Sequence, residues 1–189
     1  MKGWIIVMSV LLAIAVPGIC MAQATSTTVA DTKGFEPPKP KLEYLGRWSV
    51  DLIAPIWELG QTSDLGKRRI IPITGGKFEG PKIKGAILNN GADWQIVTKD
   101  GLAIIDTRYL LQTDDGALIY LQTKGYRYGP PDVMAKVAKG EVVDGNLYYF
   151  RLYMTIETAS SKYAWLNRAM AIAFAMRLGN AVVYDAYTF

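Results

Sequence analysis

Reactive side chains are concentrated in two short stretches of this chain. The first is Asn89-Asn90-Gly91-Ala92-Asp93-Trp94, and the second, twelve residues after Trp94, is Asp106-Thr107-Arg108-Tyr109. Asp93 stands beside a large apolar ring, which can raise the pKa of a carboxyl group and suit it to acid–base catalysis near neutral pH. A turn aspartate beside a core tryptophan would give the same pattern, so both interpretations stay open.

The second stretch has an alternating pattern that divides its side chains between two faces of a predicted strand. Asp106 and Arg108 share one face, and Tyr109 lies on the other. Arg108 suits a substrate carboxylate or enolate, because a guanidinium offers paired donors. An ion pair with Asp106 that only locks the sheet is the alternative. Arg108 and Tyr109 can face one pocket together only if a bulge near Thr107 twists the strand.

The run from Leu147 to Thr158 is the most clearly two-faced strand of the chain. One face is apolar, and the other carries Tyr149, Arg151, Tyr153, Thr155 and Glu157. This second face is either the solvated exterior or the wall of a cavity that holds a ring and a carboxylate. On the cavity interpretation, Arg151 and Tyr153 bind substrate and Glu157 is a second candidate for moving a proton, while Trp94 stacks on the ligand and Tyr109 donates a hydrogen bond.

Missing residue types exclude much familiar chemistry. The chain has no histidine, and its only cysteine is Cys20. A Ser-His-Asp triad is therefore excluded, and so are a cysteine nucleophile in the mature chain and zinc held by histidine or cysteine. We expect no metal site, although carboxylates alone can hold a cation. The remaining groups favour proton transfer, elimination, decarboxylation or isomerisation without a cofactor.

Strand-length apolar runs separated by glycine turns must position these residues. Asp100-Gly101, Asp115-Gly116 and Asp144-Gly145 favour tight hairpins, because glycine accepts a positive φ. Consecutive hairpins predict an all-β fold, an antiparallel meander closed or nearly closed into a lipocalin-like β-barrel. The predicted strands are Leu42 to Ile53, Arg69 to Phe78, Lys82 to Leu88, Trp94 to Thr98, Leu102 to Thr113, Ala117 to Tyr126, Leu147 to Thr158 and Ala181 to Thr188.

Two further segments complete the predicted architecture. Pro131 to Lys139 has the proline start and apolar spacing of a short helix. Ala164 to Met176 is either a helix or a buried strand, and we favour the strand. Glycines at Thr74-Gly75-Gly76 and Glu79-Gly80-Pro81 lack the spacing of a phosphate loop, and turns or bulges are the better interpretation.

The N-terminal region predicts export. Met1 to Ala24 has a lysine, an apolar run and small residues at its end, as in a cleaved signal peptide. A membrane anchor fits less well because Pro17-Gly18 cuts the apolar run short, and a lipoprotein would use Cys20. Thr25 to Lys41 is a predicted disordered lead rich in Pro, Lys and Thr, followed by one domain over residues 42–189. We expect a periplasmic or secreted protein with no stable membrane insertion after cleavage.

Charge favours a small-molecule partner over nucleic acid. The formal net charge is +4, and the basic residues are scattered apart from Lys67-Arg68-Arg69 and Lys82 to Lys84. Three clustered cations neutralise few phosphates, so we expect no nucleic-acid binding. The sequence does not indicate an oligomeric state.

The order of the motifs resembles domain-of-unknown-function family 3237. It is carried by Gly75-Gly76, Glu79-Gly80-Pro81, Asn90-Gly91-Ala92-Asp93-Trp94, Asp100-Gly101, Asp106-Thr107-Arg108-Tyr109, Asp115-Gly116-Ala117, Glu157-Thr158 and Trp165-Leu166-Asn167, across nearly all of residues 42–189. The resemblance implies a compact lipocalin-like barrel with a central pocket, and relatives that look like cofactor-free lyases, including decarboxylases, acting on small phenolic or other aromatic compounds. The pocket positions it implies are Asp93, Trp94, Arg108, Tyr109, Glu157 and Asn167.

These observations lead to one expected function and two alternatives. We expect an exported β-barrel that binds a small aromatic or carboxylate-bearing molecule and catalyses a lyase or isomerase step without a cofactor. The same cavity would serve a non-catalytic carrier. A structural envelope protein would instead have a barrel filled by its own side chains, since eight strands enclose little more than that volume.

Overall fold

The computed structural model describes Gly34, residues 36–53 and residues 55–189. The predicted signal peptide, Met1 to Ala24, lies outside the described residues, as does most of the predicted lead, Thr25 to Lys41. One compact unit spans Lys39–Phe189. In the part of the chain that is described, no helix has the length and apolar character needed to span a membrane.

The described residues form ten strands and one α-helix. The chain forms β1 (Glu43–Leu52), β2 (Trp57–Ser63), β3 (Gly66–Glu79), β4 (Lys84–Ile87), β5 (Gly91–Val97), β6 (Ala103–Thr113), β7 (Leu118–Tyr128), α1 (Pro131–Ala138), β8 (Tyr149–Glu157), β9 (Ala171–Arg177) and β10 (Ala181–Thr188). Two 3₁₀ segments lie at Gly145–Leu147 and Ser161–Arg168. Each of the eight predicted strands and the predicted helix is confirmed.

The strands close into an antiparallel barrel of eight. Going round the ring, β1 pairs with β3, β3 with β5, and β5 with β6, after which β7, β8, β9 and β10 follow in order and β10 returns to β1. The strand β2 pairs with the first part of β3, on the side where β1 pairs with its last part. The short strand β4 pairs with the ends of β3 and β6, past the residues that pair with β5. The predicted barrel is therefore confirmed, and its alternating pattern sends every second side chain inward.

The hairpin turns show the chemistry that the sequence indicated. Gly101 and Gly116 have φ values of 88° and 87°, in the region that glycine accepts without strain. In each hairpin a threonine hydroxyl before the turn accepts a hydrogen bond from the backbone N–H four residues later. The Leu102 N–H donates to Thr98 Oγ1, and the Ala117 N–H donates to Thr113 Oγ1. Together they set the register of β5, β6 and β7.

Three segments differ from the prediction or resolve its ambiguity. The expected hairpin at Asp144-Gly145 is wrong: a 3₁₀ turn forms there, because α1 fills the connection between β7 and β8. The ambiguous segment Ala164 to Met176 divides, its start completing a 3₁₀ segment and its apolar run forming β9. The strand β2 was not predicted. Nearly all of its side chains are exposed, so apolar and polar residues do not alternate along it as they do in the other strands.

Apolar side chains fill most of the barrel. Trp48 of β1 stacks between Phe78 and Tyr184, with ring centroids 5.6 Å away on both sides. Tyr163 and Leu166 of the second 3₁₀ segment are buried and close the end of the barrel at which β8 finishes. At the other end, where β7 finishes and β8 begins, the inward side chains become polar and charged.

Candidate functional site

A cavity of about 40 Å³ lies inside the barrel toward its polar end. Apolar side chains from β1, β3, β6, β8 and β10 form much of its wall. Its reactive lining consists of Asp93, Tyr109, Arg127, Arg177 and Tyr184, with the amide of Gln95 and the hydroxyls of Thr107 and Thr123 between them. A carboxyl group, two phenols and two guanidiniums therefore share one enclosed space.

Asp93 is the buried carboxyl group of this cavity. It pairs with Thr107 across β5 and β6, and cross-strand partners point to the same face of a sheet. Asp93 Oδ1 accepts a hydrogen bond from the backbone N–H of Asp106 at 3.2 Å, and Oδ2 accepts one from Gln95 Nε2 at 2.9 Å. The side chain is held by two neutral donors, and among the described residues it has no ion-pair partner.

The surroundings of Asp93 suit it to carry a proton near neutral pH. Burial raises its pKa to about 6, because a carboxylate loses hydration inside the barrel. The two hydrogen bonds, and the more distant charges of Arg127 and Arg69, favour the ionised form and offset part of that rise. A group with a pKa close to the working pH can both take up and release a proton, which is what a general acid–base catalyst requires.

Two tyrosine hydroxyls face each other in the cavity. Tyr109 Oη and Tyr184 Oη are 2.5 Å apart, both side chains are buried, and burial raises the pKa of each well above its ordinary value. Both phenols therefore stay protonated at neutral pH. The hydrogen bond between them needs only one of the two hydroxyl protons, so the other hydroxyl can donate a hydrogen bond to a ligand oxygen.

The polar end of the cavity is positively charged. Arg127 and Arg177 line it, and burial lowers the pKa of Arg127 to about 10, with the charge of Arg177 adding to the effect. The pKa of Arg177 is lowered as well, first by burial and then by the charge of Arg69. Arg69 pairs across β3 and β5 with Gln95, so it points to the same face as that cavity residue.

The structure brings together two of the predicted site residues, Asp93 and Tyr109. Arg108 lies on the outer face, where its Nη2 is 3.2 Å from Asp106 Oδ2 and its guanidinium carbon is 5.6 Å from the centre of the Trp94 ring. The pairing of β6 with β5 and β7 shows no register shift around Thr107. Without a bulge there, Arg108 and Trp94 stay on the face opposite to Tyr109.

The other predicted site residues also lie away from the cavity. The polar face of β8 is the exterior: Tyr153 and Glu157 are exposed, and Arg151 lies over the rings of Tyr149 and Phe174. Asn167 lies at the opposite end of the barrel and binds the backbone of Thr158. Its Oδ1 accepts a hydrogen bond from the Thr158 N–H, and its Nδ2 donates one to the Thr158 carbonyl. In the described ranges no group of three or more acidic or cysteine side chains is placed to hold a metal ion.

Several cavity residues were not predicted from the sequence. They are Gln95, Thr107, Thr123, Arg127, Arg177 and Tyr184. Gln95 and Thr107 could have been found, because each lies two residues along a strand from a predicted site residue, Asp93 or Tyr109, and so shares its face. Arg127 and Arg177 were harder to predict as cavity residues. Each lies at the end of a strand with alternating apolar residues, where a solvated charge is equally common.

Comparison with known proteins places the chain among β-barrels. The model of a family described as protein of unknown function (DUF3237) matches residues 40–189. A UPF0311 protein of Rhodopseudomonas palustris strain TIE-1 is 41% identical over 150 residues, which are 78% of this chain and 97% of that protein. The crystal structure of a β-barrel-like protein from Acinetobacter baumannii AYE is 66% identical with a TM-score of 0.73, covering 82% of this chain and 98% of the other.

One more distant relative has a named activity. The hydroalkoxylation enzyme phnH of Penicillium herquei is 28% identical over 138 residues, which are 73% of this chain and 76% of that enzyme. Distant homology to an enzyme therefore accompanies the shared fold.

Proposed function

Because the chain belongs to the DUF3237 family, as its motifs predicted, and carries a buried carboxyl group in its barrel, we propose that it is an enzyme in which Asp93 transfers protons on a small molecule. The observation that carries this proposal is the position of Asp93: it lines the cavity, is buried, and has a pKa of about 6. No cofactor is needed for such a step. The predicted signal peptide extends the proposal to a periplasmic or secreted enzyme.

The proposed reaction is the addition of a hydroxyl group across a carbon–carbon double bond conjugated to a carbonyl, or its reverse. Ionised Asp93 removes the hydroxyl proton while the oxygen forms a bond to carbon and the π electrons move to the carbonyl oxygen. Protonated Asp93 then returns the proton to the enolate carbon, so atoms and charge balance within one molecule. The forward direction is an isomerisation and the reverse is an elimination. Hydroalkoxylation by the Penicillium herquei relative supports this class.

The tyrosine pair would stabilise the intermediate. An enolate oxygen that develops near Tyr109 and Tyr184 accepts a hydrogen bond from the hydroxyl group whose proton is not needed within the pair. Such a donor is buried and already positioned, so it costs little reorganisation during the reaction. In this role Tyr109 and Tyr184 contact the substrate oxygen while Asp93 acts on the carbon.

The size of the cavity constrains the substrate. A cavity that takes up benzene measures about 150 Å³, whereas this one measures about 40 Å³. An aromatic ring therefore enters only if side chains around the cavity move outward. Leu52, Arg127, Arg177 and Val182 are the half-buried lining residues able to do so.

A substrate screen in D₂O tests the proposal. The purified protein is incubated with aliphatic and aromatic hydroxylated enones, with and without a carboxylate. Products are examined by mass spectrometry, and binding is measured by thermal shift. We expect at least one compound to be converted into an isomer carrying one deuterium on carbon, since the proton on Asp93 exchanges with solvent.

The other outcomes of the screen separate the alternatives. A compound that raises the melting temperature without conversion would indicate a carrier, because saturation at a hundred times the Kd stabilises by about 2.7 kcal/mol. Neither binding nor conversion across the panel would contradict the proposal and favour a barrel filled by its own side chains.

A further inference from the structure

We propose that Arg69, Arg127 and Arg177 form an anion-recognition site at the polar end of the cavity, which takes a carboxylate or phosphate group of the substrate. The inference rests on the proposed function, because it names the class of molecule that Asp93 would act on. It assigns to these three residues the role that the sequence pattern suggested for Arg108, which lies on the outer face.

Three strands that are far apart in sequence bring the guanidiniums to one place. Arg69 pairs across β3 and β5 with the buried Gln95, Arg127 pairs across β6 and β7 with the buried Ala103, and Arg177 pairs across β9 and β10 with Val182 of the cavity wall. Because cross-strand partners share a face, all three side chains point inward. The charges of Arg177 and Arg69 contribute to lowering the pKa of Arg127, and the charge of Arg69 contributes to lowering that of Arg177, so the three groups lie within electrostatic reach.

The donors of this cluster are incompletely used. The Nε atoms of Arg69 and Arg127 are buried and have no acceptor among the described residues. Arg177 donates from Nη1 to the carbonyl oxygen of Ala181 at 3.0 Å. A buried guanidinium donor without an acceptor is costly, and an oxyanion is the ligand whose geometry matches it.

The charge of the cluster also calls for an anion. Three guanidiniums are accompanied by two carboxyl groups, Asp93 and Glu58. Glu58 is mostly exposed and lies 3.6 Å from Arg69 Nε, beyond the distance of a good hydrogen bond. At least one positive charge is therefore unbalanced when Asp93 is ionised, and two when it is protonated. Bound anion would neutralise this excess inside a low-dielectric site, where charge pairing is strongest.

An anion at this site would orient the substrate. All of these groups line the cavity, and Asp93 lies between the arginines and the tyrosines along its length. On β6, Arg127 is level with Ala103, Asp93 is level with Thr107, and Tyr109 follows two residues later. A molecule held by its carboxylate or phosphate at the arginines therefore extends past Asp93 toward Tyr109 and Tyr184. This arrangement matches a substrate with an acidic group at one end and a carbonyl oxygen at the other.

Calorimetric titration with inorganic phosphate and with benzoate tests the inference without any assay of turnover. At low ionic strength we expect the wild-type protein to bind both anions, and Arg127→Gln and Arg177→Gln each to weaken binding by tenfold or more. The matched control is Arg168→Gln, an exposed arginine at the opposite end of the barrel, which should change the affinity by less than twofold.

The folding of the variants is followed in the same samples. If Arg127→Gln fails to fold, Arg127→Lys retains the charge but not the paired donors and should weaken binding as well. Phosphate should raise the melting temperature of the wild type more than that of Arg127→Gln.

Several outcomes would overturn the inference. One is no binding of either anion by the wild type. Others are equal affinities in the wild type and both cavity variants, or equal losses in the Arg168→Gln control. The two proposals can fail separately: turnover of neutral compounds without anion binding leaves the Asp93 proposal standing, and anion binding without turnover leaves the arginine site standing.

Discussion

Replacing Asp93 with asparagine is expected to raise the free energy of unfolding by about 3 kcal/mol above pH 7 and to leave it nearly unchanged at pH 4. In the folded protein Asp93 keeps its proton up to about pH 6, whereas its ordinary pKa is 3.8. Between these values the folded state binds more protons than the unfolded state, so stability falls as pH rises through the window. Asp93→Asn removes this titration, since the amide stays neutral at every pH.

The hydrogen bonds around residue 93 can accommodate the amide. Its oxygen can still accept from the Asp106 N–H. The Gln95 amide can rotate so that Oε1, which has no partner among the described residues, accepts from the new NH₂ group. Urea unfolding at pH 8 and pH 4 measures the effect.

The control for this prediction is an exposed aspartate. Asp114→Asn removes a carboxylate whose nearest cation is Lys84 Nζ at 3.3 Å, and an exposed pair of this kind contributes under about 1 kcal/mol. If Asp93→Asn were as stable as the wild type or less stable at pH 8, burial would not be destabilising the carboxylate.

The same substitution should nearly abolish turnover of any substrate found in the screen. Removing a positioned general acid–base group typically costs 10²–10⁴-fold in rate, so kcat of Asp93→Asn should fall by a factor in this range. KM should change much less, because the amide has nearly the shape of the carboxyl group and ground-state contacts persist. Steady-state kinetics of wild type and variant on one substrate provide the comparison.

Arg108→Ala is the informative companion to that experiment. Arg108 is half-exposed on the outer face with Asp106 and Trp94, so its removal should cost under about 1 kcal/mol of stability and leave kcat unchanged. A loss of turnover in Arg108→Ala similar to that in Asp93→Asn would move the active site to the outer face. Unchanged turnover in Asp93→Asn would remove Asp93 from the mechanism.

The sequence predicted the strands well because their signal is local. Alternation correctly separated Arg108 from Tyr109, and an Asp-Gly pair marked the hairpins between β5 and β6 and between β6 and β7. Which face of β6 becomes the interior depends on how the barrel closes, and closure is a tertiary event. The polar face of β8 illustrates this: two tyrosines beside an arginine suit a cavity wall, yet they lie outside because Phe150, Leu152 and Met154 fill the core.

The site was only partly predictable for the same reason. Asp93 was found because a carboxylate beside tryptophan is conspicuous within one strand. The arginines at 69, 127 and 177 lie on three strands, and only the register of the closed barrel brings them together. Each of them alone resembles a solvated charge near a strand end, so no local pattern marks them as a group.

The ionisation of Asp93 is the central claim, and an NMR titration of its side-chain carboxyl carbon measures it most directly. Protein labelled with ¹³C at aspartate carboxyl groups is titrated from pH 3 to pH 9, and the Asp93→Asn spectrum assigns the resonance. A pKa of about 6 is the expected result. A pKa at or below the ordinary value of 3.8 would contradict the account, because Asp93 would then be a permanently charged partner of the arginines and unable to carry a proton near neutral pH.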